Sequence, residues 1–89
     1  MIGVPPGVTL NALSSAVFHA LEEYTVFPWS VLSTQCKRIG IDPSNLTVIE
    51  LERVSPLLAQ GVARFTTPAH EVAVKAKLAA LIASNRGRL

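Results

Sequence analysis

Apolar residues recur at intervals of three and four along most of this chain, and alternation with period two is nowhere sustained. The clearest stripe is Leu51, Val54, Leu58, Val62 and Phe65, with Glu50, Glu52, Arg53, Gln60 and Arg64 as its polar complement. Ahead of it, Leu10, Leu13, Val17, Leu21 and Tyr24 predict a first helix over about 10–24, capped by Thr9, with Phe18 widening its apolar face. Val31, Leu32, Cys36 and Ile39 predict a second over about 29–39. Behind it, Val74, Leu78, Leu81 and Ile82 predict a last helix over about 68–85, rich in alanine, which favours helix and tight contact.

The punctuation between these stripes agrees with them. Pro28 suits the first position of a helix, and Phe27 before it should be extended. Gly40 suits the left-handed stop of the second helix, and Asp42-Pro43-Ser44-Asn45 suits a turn. Thr47 with Glu50 three residues later matches a capping box. Ser55-Pro56 predicts a fresh helix start, because proline inside a continuous helix costs about 3 kcal/mol. Thr66-Thr67-Pro68 repeats that signal, and Gly61 inside a helix suggests close approach of a neighbour. The predicted fold is all-α, a compact bundle of four to five short helices with proline-capped turns. Residues 1–7 should form a flexible N-terminal arm, 8–85 a single helical domain, and 86–89 a flexible basic tail.

Composition adds one thing to this picture. Apolar residues make up 49% of the 89 positions and charged ones 16%, against a usual charged share of about 25%. A domain of this size buries only about 60–65% of its extended surface, so apolar side chains are left over for a second chain to cover. The single cysteine, Cys36, excludes an internal disulfide and suits a reducing, cytoplasmic setting. The uncharged first 21 residues lack the basic start of a signal peptide, and no run is long and apolar enough to span a bilayer.

Candidate chemistry is thin. No Gly-rich phosphate loop, HExxH, CxxC pair or Gly-x-Ser-x-Gly occurs, and no carboxylate pair stands in apolar surroundings. His19 and Glu23 share a helix face and could share a metal, but no second ligand pair follows. Cys36 has no base at a supporting spacing. Neither an enzyme nor a cofactor or metal site is expected.

Three stretches resemble known motifs. Cys36, Gly40, Ile41, Leu46 and Ile49 resemble a helix-turn-helix in outline, which implies DNA binding. Pro43 at the turn and carboxylates at Glu50 and Glu52 depart from it. Arg86-Gly87-Arg88 resembles the core of AT-hook peptides without their flanking prolines and basic residues. Gly40-Ile41-Asp42-Pro43-Ser44-Asn45-Leu46 is similar to the phosphopantetheine motif of acyl carrier proteins, with Pro43 and Asn45 interrupting it.

The function that best fits these observations is a small, non-catalytic protein–protein interaction module, most simply a homodimer or a subunit with a protein partner. Phe18, Tyr24, Phe27 and Trp29 are the expected contact residues, an aromatic group around the first interhelical turn. The alternative is a helix-turn-helix-like nucleic-acid-binding regulator using Lys37, Arg38, Lys75, Lys77, Arg86 and Arg88. The net charge of +2 gives that alternative little bulk attraction for phosphates.

Overall fold

Four helices, α1 (Ala12–Glu22), α2 (Pro28–Arg38), α3 (Val48–Phe65) and α4 (Pro68–Arg86), carry the chain in a computed structural model that describes residues 7–65 and 68–86. The all-α bundle read from the periodicity is what the chain forms. Most of the expected arm, the Thr66-Thr67 cap and the tail from residue 87 lie outside the described residues. Arg86, expected to begin the tail, instead closes α4.

The largest departure is in α3, which runs unbroken through Pro56. Leu51, Val54, Leu58, Ala59 and Val62 are all fully buried along it. Fully burying a side chain of this kind is worth about 1.5–3 kcal/mol. Breaking the helix at Ser55 would turn half of that stripe away from the core. Pro56 is exposed, so its ring meets water rather than a neighbouring helix. Burial on one face outweighs the proline penalty on the other.

The start of α3 follows the sequence closely. Thr47 Oγ1 accepts from the Glu50 amide at 3.2 Å, and Glu50 Oε1 accepts from the Thr47 amide at 3.1 Å. The end of α2 does too. Gly40 takes φ +70°, the Gly40 amide donates to the Lys37 carbonyl and the Ile41 amide to the Cys36 carbonyl. That pair of bonds is a Schellman stop, and it carries Ile41 into the core at 5% exposure.

The start of α1 does not follow it. Asn11 is the cap in place of Thr9, and its Oδ1 accepts from the Ser14 amide at 2.7 Å. The same side chain donates through Nδ2 to the Leu46 carbonyl at 2.9 Å and to Asn45 Oδ1 at 3.1 Å. The fully buried Ser14 hydroxyl accepts from the Leu46 amide at 2.9 Å. A carboxamide can accept one bond while donating two, whereas a threonine hydroxyl has a single proton to donate. This polar knot ties α1 to the connector between α2 and α3.

Substantial helix contacts run α1 to α2, α2 to α3, α3 to α4, and α4 back to α1, with α3 and α4 the most extensive pair. The radius of gyration is 11.9 Å, close to the roughly 12 Å of a compact domain of this length. The chain therefore closes on a core of its own.

Replacing Pro56 with alanine restores a helical amide on an exposed face. Pro56→Ala should stabilise the protein by about 1–2 kcal/mol, the helix gain being partly offset by a freer unfolded chain. Urea unfolding measures this, and an unchanged or lower midpoint would mean that the ring contributes to packing.

Candidate functional site

The four aromatic residues expected at an interface do not form one surface. Phe18 is 8% exposed and meets the His19 ring edge-on, with centroids 5.7 Å apart. It is buried within the chain rather than offered to a partner. Tyr24 and Trp29 are half-buried against the core. The Tyr24 ring stands 5.3 Å from that of His70, joining the end of α1 to the first turn of α4. Phe27 alone is open, at 42% exposure. It is the N-cap of α2, its amide held by Thr25 Oγ1 at 3.1 Å, and Val26 beside it is 71% exposed.

The basic residues are likewise dispersed. Lys37 and Arg38 are exposed at the end of α2, where Arg38 Nη1 donates to Gln35 Oε1. Lys75 and Lys77 lie on α4, the helix diagonal to α2, and both are ion-paired, Lys75 with Glu71 and Lys77 with Glu23. The hydrogen bond from Lys77 to the Glu23 carboxylate raises the lysine pKa above its ordinary value. The Arg86 side chain and Arg88 lie outside the described residues. The connector between α2 and α3 runs from residue 39 to 47, well beyond the roughly 3–4-residue turn of a helix-turn-helix. Its Asp42 carboxylate accepts both the Ser44 amide and hydroxyl, which pulls its pKa below the usual range.

His19 pairs with Glu22 at 2.8 Å rather than with Glu23, which Lys77 engages. Among the described residues no three His, Cys, Asp or Glu side chains cluster in a way that could hold a metal, and no helix is long and apolar enough to cross a membrane. Cys36 is free and fully buried. Burial first, then the charges of Glu50 and Asp42, push its thiol up to about 11. At neutral pH it is a protonated core group.

What sequence periodicity missed is the outer side of α4. Val74 and Leu78 fill the core from one side of that helix. On the opposite side Ala69, Val72, Ala76, Ala79 and Ala83 are all exposed at spacings of three and four, with Val72 at 71%. The sequence carries this signal as a second stripe of small apolar residues, but alanine suits helix formation and close helix contact alike and so does not mark an exposed face. Around the inner edge of α4, Ala16, Ala20, Ala80 and Leu81 line a groove of about 340 Å3 against α1, with His19, Glu23 and Lys77 beside them. Comparisons with known protein families, with curated proteins and with solved structures returned no match.

The Cys36 thiol sets one pH dependence. Its folded pKa lies above the ordinary 9.0, so its stabilising contribution is complete below that value and is lost as pH rises toward about 11. The stability difference between the wild type and Cys36→Ala should narrow over this interval in urea titrations. A constant difference would contradict it.

Proposed function

We propose that this chain is a small helical protein–protein interaction module that pairs with a second copy of itself and performs no catalysis. One observation carries the reading: α4 is apolar on opposite faces, and only one of them is covered by the chain's own core. Charged residues are depleted at the centres of protein interfaces, and the outward stripe from Ala69 to Ala83 contains none. Its alanines let two helices approach closely, and a two-fold axis lets one stripe face its own copy. Val26 and Phe27 add a second apolar place at the α1–α2 corner. Of the aromatic group expected to make the contact, Phe27 is the member with surface to offer.

The nucleic-acid reading is the weaker one. The ion pairs of Lys75 and Lys77, and the long connector between α2 and α3, count against it. A cytoplasmic location is part of the proposal and rests on the single unpaired cysteine.

Val72→Glu combined with Ala79→Glu tests the contact, since both positions are exposed in the single chain. Two carboxylates facing their copies should weaken the dimer at least about tenfold in sedimentation velocity, with helical circular dichroism unchanged. A dimer that survives them does not use this face.

A further inference from the structure

Gly61 sits inside α3, about one turn from its C-terminal end, where glycine weakens a helix. The space left by its missing side chain is taken by α2. A Cβ there would stand 3.1 Å from Val31 Cγ1 and 3.2 Å from Gln35 Nε2. The glycine therefore lets the Gln35 carboxamide lie against the α3 backbone. Gln35 is only 7% exposed. Its Oε1 is satisfied by Arg38 Nη1 at 3.2 Å, while its Nε2 has no hydrogen-bond partner among the described residues. Most of the residue is enclosed, and the donor that remains unused is turned to the cleft that the amide lines.

That amide lines a cleft of about 160 Å3 between α2 and α3, together with Ser30, Thr34, Gly61 and Arg64. Arg64 is exposed, and the ion pairs of the described residues all lie elsewhere. On its far side Arg64 borders a shallow cavity shared with Gln60, Ala63 and Glu71, whose carboxylate is engaged by Lys75. Ser30 belongs to the first turn of α2, a helix start with no side-chain cap and a positive dipole end. Among the described residues no carboxylate lines the cleft. The donors around it are a guanidinium, a half-used amide and two hydroxyls.

We infer that this cleft is a binding site for a small oxyanion, a carboxylate or phosphate group held between Arg64 and the Gln35 amide, with Ser30 and Thr34 completing the shell. The guanidinium carries the charge and the planar fork that such groups match. Gly61 contributes by absence, since a Cβ there would press on the Gln35 amide and on Val31. The site uses no residue of the outer α4 face, so it stands or falls independently of self-association.

The test is an NMR titration of the full-length 15N-labelled chain with sodium phosphate and, separately, sodium acetate, using sodium chloride at matched ionic strength as the control. Saturable shifts are expected at the amides of Ser30, Thr34 and Gly61 and at the Gln35 side-chain NH2. Saturation by phosphate alone, by acetate alone or by both identifies the group that the cleft accepts. Arg64→Gln, an exposed change that leaves the core intact, should weaken the response at least about tenfold. Gln35→Glu, which replaces the idle donor with a like charge, should abolish it. Shifts that chloride reproduces, that do not saturate, or that persist unchanged in Arg64→Gln would overturn the assignment.

Discussion

One buried stripe on α3 holds the remainder of this fold in place. Leu51, Val54, Leu58, Ala59 and Val62 have no exposed surface, and α2 and α4 both pack against the helix that carries them. The stripe is useful only if α3 is one rigid piece, because a bend at Pro56 would rotate its second half out of register. The helix tolerates proline where the ring faces water, at a local cost smaller than the burial it preserves.

Much of the fold was legible in local chemistry. Pro28, the Gly40 stop and the Thr47–Glu50 capping box are decided by neighbours a few residues away, and all three appear where the sequence places them. The misreadings share a different origin. Asn11 prevails over Thr9 as a cap because its amide also reaches Asn45 and Leu46, partners supplied by tertiary folding. Pro56 fails to break α3 because burial at positions on both sides of it outweighs a rule about single residues. In each case a contact distant along the chain overrode a local preference.

The candidate surfaces follow the same division. Phe18 read as surplus apolar surface, and the folded chain buries it. Lys75 and Lys77 read as available cations, and carboxylates on α4 and at the C-cap of α1 claimed them. Gly61 was a genuine sign of close approach, but which helix arrives, and that it brings a glutamine amide, depends on the α2–α3 pairing. The outer alanines of α4 were visible as residues and invisible as a face, since alanine serves helix formation and helix contact equally well.

On the proposed function, the uncovered side of α4 is covered by a second copy of the chain. A partner that binds only the folded state raises the unfolding temperature with its own concentration. The most direct measurement is therefore the thermal midpoint of the wild-type chain over a wide range of protein concentration. With self-association through this face, the midpoint climbs steadily as the chain is concentrated. A midpoint that stays constant across the range would contradict it.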